Sequence, residues 1–142
     1  MLNKSLSIVL VLAIIGAIGA IVYFTTTHKS GDAFTEFYLL GPGGKAENFP
    51  EKLIVGEKGK VIVGIVNHEH KQTSYWVQIL IDSHKNNETG PILLNDGEKW
   101  ENTMAFIPNQ ASDNQTVEFL LFKGKETEPP TDSLYLLINI TK

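Results

Sequence analysis

The chain has 142 residues, 12 basic residues that are all lysine, 16 acidic residues and no cysteine. Without cysteine there is no disulfide, no thiolate nucleophile and no cysteine-ligated zinc, iron–sulfur or haem site. Without arginine there is no planar guanidinium to recognise phosphate or guanine, and the net charge of -4 also argues against binding to nucleic acid. The length is typical of one domain.

The first element in chain order is an apolar segment at residues 6–24. It carries no charged residue, and its only clearly polar side chain is that of Ser7. As a helix it spans roughly 28 Å, close to the thickness of the bilayer hydrocarbon core. Tyr23 and Phe24 end the segment with aromatic rings, which are common at membrane interfaces. We therefore predict a single transmembrane helix over residues 6–24 in contact with the lipid bilayer, preceded by a short cytoplasmic N-terminus at residues 1–5.

A cleaved signal peptide is the alternative interpretation of this segment. A signal peptide has an apolar core of about 7 to 15 residues, followed by a small-x-small cleavage site. Here the small pair Ala17 and Gly19 is followed by a further apolar stretch, residues 20–24. This order favours an uncleaved anchor.

Three N-x-S/T sequons follow the apolar segment, at Asn87, Asn114 and Asn139. They are possible glycosylation sites and are typical of a domain outside the cytoplasm. We therefore expect a single-pass protein of the cell membrane with its C-terminal domain extracytoplasmic. Residues 25–33 are polar and form a tether between membrane and domain.

Residues 34–142 are predicted to form an extracytoplasmic β-domain, because short β-rich runs alternate with turn residues and no helical period occurs. The runs are Phe34–Leu40, Leu53–Val55, Lys60–Asn67, Tyr75–Asp82, Ile92–Leu94, Trp100–Ile107, Thr116–Phe122 and Ser133–Ile140. The predicted turns and loops are Gly41–Gly44, Gly56–Gly59, Asn86–Gly90, Asn95–Gly97 and Glu128–Pro130. Seven or eight short strands predict a mainly β fold, an immunoglobulin-like two-sheet β-sandwich.

Strict alternation of apolar residues along three of these runs identifies the expected core. The alternating residues are Val61, Val63 and Ile65, then Val77, Ile79 and Ile81, and then Val117, Phe119 and Leu121. Side chains at positions i and i+2 of a strand share one face. We expect Trp76 or Trp100 to be the aromatic centre of this core. The cysteines of antibody domains are absent, so the likeness to them is architectural.

An ordered set of short segments resembles a known family. The segments are Phe34–Ala46, Leu53–Glu57, Val61–Glu69, Gly97–Glu101 and Val117–Lys123. Together they are similar to the extracytoplasmic domain of an archaeal membrane-anchored family of unknown function, number 1616 (DUF1616), over roughly residues 34–140. The resemblance implies an archaeal envelope location and a β-sandwich. It implies no activity or cofactor.

The most suggestive chemical feature is His68-Glu69-His70. On an extended strand the two imidazoles share a face and can meet one metal ion. A stable site needs a third or fourth ligand, from His84 or from a carboxylate. The alternative is a polar strand end, because the apolar alternation stops at Asn67. His68 and His70 are therefore candidates for metal ligands, and no metal site is assigned.

Other motifs give no positive sign of an enzyme. Gly41–Lys45 is rich in glycine but lacks the spacing of a phosphate-binding loop, and it follows a strand without opening a helix. We interpret it as a turn. No G-x-S-x-G motif occurs in the sequence, and no arrangement of Ser, His and Asp suggests a triad. We expect no catalytic residues and no bound cofactor.

Three hypotheses for function follow from the sequence. The leading one is a membrane-anchored envelope protein whose outer sandwich is a non-catalytic interaction or accessory module, in contact with other membrane or envelope proteins. The alternative is a pilin-like filament subunit that packs through its N-terminal apolar helix. Against it, Lys4-Ser5-Leu6 departs from the usual basic-small processing site and the apolar segment is short. The third is a metal-binding domain that uses His68 and His70.

Overall fold

The computed structural model describes residues 31–125 and 129–142. Ala33–Lys142 form a compact unit of their own. Within the described residues no helix has the length and apolar character needed to cross a membrane. The predicted cytoplasmic residues 1–5, the predicted span at 6–24 and most of the tether lie outside the described residues.

In the described part of the chain, eight strands form two sheets, which confirms the predicted mainly β fold. The strands are β1 (Phe34–Leu40), β2 (Lys52–Ile54), β3 (Gly59–His68), β4 (Thr73–Ile81), β5 (His84–Leu94), β6 (Lys99–Phe106), β7 (Ser112–Lys123) and β8 (Asp132–Thr141). One sheet has the order β1-β3-β6 and the other has the order β2-β8-β7-β4-β5. Neighbouring strands are antiparallel except β2 and β8, which are parallel. The immunoglobulin-like classification of this sandwich stays a prediction.

The core lies between the sheets and is built from the alternating rows that the sequence indicates. Eight of the nine predicted core residues have no exposed surface, and Ile81 is 8% exposed. They come from the inner faces of β3, β4 and β7. The predicted core is therefore confirmed.

The prediction of a tryptophan at the centre of the core is wrong. Trp100 is only half-buried and packs at the margin of the core, and Trp76 is half-buried outside it. The fully buried aromatic residues are Tyr75, Phe106 and Phe119. Strand alternation explains this result, because the inner face of β4 takes Tyr75 and therefore directs Trp76 outward.

The prediction of a turn at Asn86–Gly90 is also wrong, because these residues lie within β5. The chain reverses earlier, at Asp82 and Ser83, whose φ angles are 51° and 63°. Two consecutive residues at positive φ are typical of a tight hairpin turn. Gly90 has another role: a Cβ there would lie 2.6 Å from the ring of Trp76, so glycine allows this ring to approach the strand.

The Gly41–Lys45 segment is a hydrogen-bonded turn, as predicted. Gly44 N–H donates to the Gly41 carbonyl at 2.9 Å, and Gly41 N–H donates to the Lys45 carbonyl at 2.8 Å. A Cβ on Gly41 would lie 1.9 Å from the Glu47 carbonyl oxygen. Only glycine therefore permits this close backbone approach.

A second close approach occurs on the outer face of the three-stranded sheet. Tyr38, Gly64 and Glu101 are side by side on β1, β3 and β6. The Tyr38 ring crosses above Gly64, and its hydroxyl donates to Glu101 Oε1 at 2.5 Å. Burial of the ring and this hydrogen bond to a carboxylate raise the pKa of Tyr38 to about 12.

Gly64→Ala should destabilise the protein, because the new Cβ would lie 2.1 Å from the Tyr38 ring. We expect a loss of about 1–3 kcal/mol in the free energy of unfolding, the usual cost of an added methyl group in a packed site. The matched control is Gly43→Ala, which meets no atom within 4 Å. Chemical denaturation of the full-length chain in detergent measures both variants, and equal stability of the two would contradict the close approach.

Candidate interaction site

One end of the sandwich is organised by the buried side chain of Asn67, the last inward-facing residue of β3. Its Nδ2 donates to the carbonyl oxygens of Lys71 at 2.8 Å and Leu94 at 2.9 Å. Its Oδ1 accepts from the Glu69 N–H at 2.8 Å, and its backbone carbonyl accepts from Gly97 N–H at 2.6 Å. Asn67 has no exposed surface, so these bonds replace the water it would otherwise need. They join the β3–β4 turn to the β5–β6 turn.

Glu69 connects the two sheets at the same end. Its Oε2 accepts from Thr35 Oγ1 at 2.6 Å on β1 and lies 3.2 Å from Lys123 Nζ on β7. Thr35 Oγ1 also lies 2.8 Å from the Tyr75 hydroxyl of β4. Burial raises the pKa of Glu69, but the Thr35 and Lys123 hydrogen bonds and the charges of Lys123 and Lys71 have the larger combined effect. The pKa of Glu69 therefore lies below its ordinary value of 4.5.

The structure separates the two histidines that the sequence proposes as metal ligands. β3 ends at His68, whose Nε2 lies 2.9 Å from Glu36 Oε2 and whose ring stacks on Phe34 at 4.6 Å. His70 has a φ of 65° in the following turn, and its N–H donates to Asp96 Oδ1 at 3.1 Å. The two residues therefore do not share the face of an extended strand.

The proposed third ligand lies elsewhere. His84 begins β5 beside Ile81, at the end of the sandwich away from Asn67. In residues 31–125 and 129–142, no three His, Asp or Glu side chains are grouped so that they could hold a metal ion. Metal binding by His68 and His70 stays a prediction that this geometry does not support.

The three sequon asparagines have different surroundings. Asn87 is half-buried and its Nδ2 donates to the Ala105 carbonyl at 2.8 Å. Asn139 is half-buried on β8, and its Oδ1 accepts from the Asn114 N–H at 2.9 Å. Asn114 itself is exposed at an irregularity of β7, with a φ of 54°. Glycosylation of these residues stays a prediction.

One feature that the sequence did not indicate is an apolar groove on the open side of the sandwich, which we call the β8 groove. It is a depression of about 400 Å³ between the edge of β1 and the first half of β8. Its lining consists of Phe37, Tyr38, Leu39, Phe49, Ser133, Leu134, Tyr135 and Leu136. None of these side chains carries a charge at neutral pH. The groove therefore favours an apolar occupant.

One wall of the groove is a strand edge without a partner. β2 pairs with β8 only from Lys52 to Ile54, opposite Asn139–Thr141. From Asp132 to Ile138, no described strand lies on that side of β8. The stretch Ser133–Leu137 is therefore an open edge.

Hydrogen bonds near this edge show which backbone groups face outward. Asn139 N–H donates to the Glu51 carbonyl, and the Thr141 carbonyl accepts from Val55 N–H, so the backbones of Asn139 and Thr141 face β2. Backbone direction alternates along a strand. The N–H and C=O groups of Tyr135 and Leu137 therefore face the open edge, and those of Leu134 and Leu136 face β7.

The open edge differs from the sheet edges formed by β5 and β6. β5 carries Lys85 and two irregularities in its pairing with β4, and β6 carries Lys99 and Glu101. Charges and irregularities of this kind prevent unwanted pairing between strands. The open edge has neither charge nor proline. Its two large apolar residues, Tyr135 and Leu137, are 66% and 55% exposed. Such an edge is typical of a surface that another chain covers.

Solved structures share this fold. The crystal structure of the CARDB domain of a Pyrococcus furiosus protein, in complex with di-metal ions, matches with a TM-score of 0.52 and 11% identity, covering 80% of this chain and 99% of that chain. The solution structure of the same domain gives a TM-score of 0.53 and 12% identity, covering 79% and 98%. At these identities the likeness concerns the fold alone.

The sequence assigns the chain to a family. The family model described as "Domain of unknown function (DUF1616)" matches residues 28–139. The chain belongs to this family, which confirms the resemblance to DUF1616 found in the ordered sequence segments, while the archaeal origin and the membrane anchor stay predictions. No curated relative matches the sequence.

Replacing Glu69 should remove part of the acid sensitivity of the fold. The folded-state pKa of Glu69 is lowered. The contribution of Glu69 to the stability of the fold is therefore complete above the ordinary pKa of 4.5, and it is lost as pH falls through the folded-state pKa. We expect Glu69→Gln to lower the melting temperature at pH 7. The difference in melting temperature between this variant and the unmodified chain should become smaller as pH falls below about 4.5.

The matched control is Glu57→Gln, which changes an exposed carboxylate in the β2–β3 turn. Thermal unfolding of the full-length chain across this pH range measures all three proteins. A difference between Glu69→Gln and the unmodified chain that stays constant with pH would contradict the linkage.

Proposed function

We propose that this protein is a single-pass, membrane-anchored envelope protein whose extracytoplasmic β-sandwich is a non-catalytic interaction module. The charge-free segment at residues 6–24 supports the anchor, and the three sequons support the external location. The sandwich supports binding rather than chemistry, because the polar cluster around Asn67 and Glu69 is occupied by bonds that hold its own turns and sheets together.

The observation that carries the proposal is the open edge of β8 beside an apolar groove. Exposed single apolar residues are common on protein surfaces, but a contiguous apolar surface that includes an unpaired strand edge indicates a binding site. Tyr135 is central to it, because tyrosine supplies a large contact area and is frequent among the residues that dominate binding energy. The module therefore binds another protein of the membrane or envelope through the β8 groove.

Site-specific photo-crosslinking in native membranes tests this function. A photoreactive phenylalanine analogue replaces Tyr135 in the full-length chain, expressed in the organism that encodes it. We expect one discrete adduct, which mass spectrometry identifies as a second protein, because the probe lies at the centre of the open edge.

The matched control places the same analogue at Leu93, which is 60% exposed on β5, the strand at the opposite edge of the same sheet. We expect no discrete adduct from this position. The interaction function would be contradicted if the Tyr135 probe gave no adduct in native membranes, or if both positions gave the same products.

A further inference from the structure

The open edge offers a defined set of hydrogen-bonding groups. Ser133–Leu137 spans about 17 Å at the usual rise of a strand. The Ser133 N–H is already bonded to Asp132 Oδ1 at 2.8 Å. The N–H and C=O groups of Tyr135 and Leu137 face outward, where an extended chain can pair with them as an additional strand.

The groove beside this edge determines the side chains that such a strand would carry. An added strand continues the five-stranded sheet past β8 and faces β1 across the sandwich. Its alternate side chains then point toward Phe37, Leu39 and Phe49. These residues are apolar, so the partner strand has apolar side chains at every second position.

The charges near the open edge indicate which charged residues the partner strand carries. A second depression of about 290 Å³, beside the first half of β8, is lined by Thr116, Glu118, Ser133, Leu134 and Tyr135. Glu118 lies directly across the β7–β8 ladder from Tyr135, and Asp132 begins β8. No lysine lines this depression or the β8 groove. A partner with lysine or arginine beside its apolar residues is complementary to these carboxylates.

A second copy of this chain does not supply that charge. The residues of β8 from Asp132 to Thr141 include no lysine. Pairing between two copies of β8 therefore adds carboxylates to a site that already carries them. The charges favour a different, basic chain over a homodimer.

We propose that the partner of the β8 groove binds as an added β-strand: an extended segment with alternating apolar side chains and a basic residue next to them. It pairs with the outward backbone groups of Tyr135 and Leu137, and its basic residue, on the face opposite to its apolar side chains, lies near Glu118. This inference rests on the proposed function and specifies the chemistry of the partner.

Fluorescence anisotropy with synthetic peptides tests the inference on the full-length chain in detergent. The probe is the labelled peptide KVTVTVK, whose end lysines lie on the face opposite to its valines, and the two comparison peptides are EVTVTVE and KVPPTVK. We expect saturable binding of the probe and at least about tenfold weaker binding of the glutamate-ended peptide. We also expect at least about tenfold weaker binding of the proline peptide, because one of its two adjacent prolines faces β8 and proline cannot donate to the strand ladder.

Two variants locate the binding on the chain. Leu137→Lys places a charge on the open edge and should weaken binding of the probe by at least about tenfold. The matched control Leu93→Lys changes an equally exposed leucine on β5 and should leave binding unchanged. Glu118→Gln should reduce the preference for lysine ends over glutamate ends.

Three results would overturn the inference: no saturable binding of the probe, equal binding of the proline peptide, or equal effects of Leu137→Lys and Leu93→Lys. Concentration-dependent dimerisation that Leu137→Lys abolishes would assign the edge to a second copy instead. A partner captured by crosslinking at Tyr135 together with no peptide binding would leave the interaction function intact and reject strand addition.

Discussion

Packing between the alternating rows of side chains on the two facing sheets is the constraint on which this domain depends. The chain has no cysteine, so the sheets are joined by apolar contact and by hydrogen bonds, those of Glu69 at one end and that of Asn87 to the Ala105 carbonyl toward the other. The inward rows of β3, β4 and β7 are almost completely buried. Glu69 and Asn67 close one end of this core by bonding across turns and sheets. These polar residues are therefore part of the framework and are committed to structure.

The same arrangement leaves one strand incompletely covered. β2 has three residues and reaches only the last part of β8. The remaining part of β8 keeps its outward backbone groups and two large exposed side chains, Tyr135 and Leu137. A strand that is apolar on both faces is usual inside a parallel sheet, where both faces are covered. Here such a strand lies at an open edge. An apolar strand in this position indicates a binding surface.

The sequence predicts the core well because strand alternation is a local property. It places Val63, Ile79 and Phe119 on inner faces without reference to their neighbours. It fails where a neighbouring strand decides the outcome. Asn86–Gly90 resembles a turn by composition, yet Gly90 is needed because the Trp76 ring packs against it. The open edge could not be predicted because it depends on which strand pairs with β8 and over how many residues.

Hydrogen–deuterium exchange of single amides in β8 tests the central claim most directly. In the purified full-length chain, the amides of Tyr135 and Leu137 should exchange quickly and those of Leu134 and Leu136 slowly, because only the latter pair face β7. In native membranes the amides of Tyr135 and Leu137 should become protected. Equal protection of all four amides in the purified chain, or unchanged exchange in native membranes, would contradict an open edge that a partner covers.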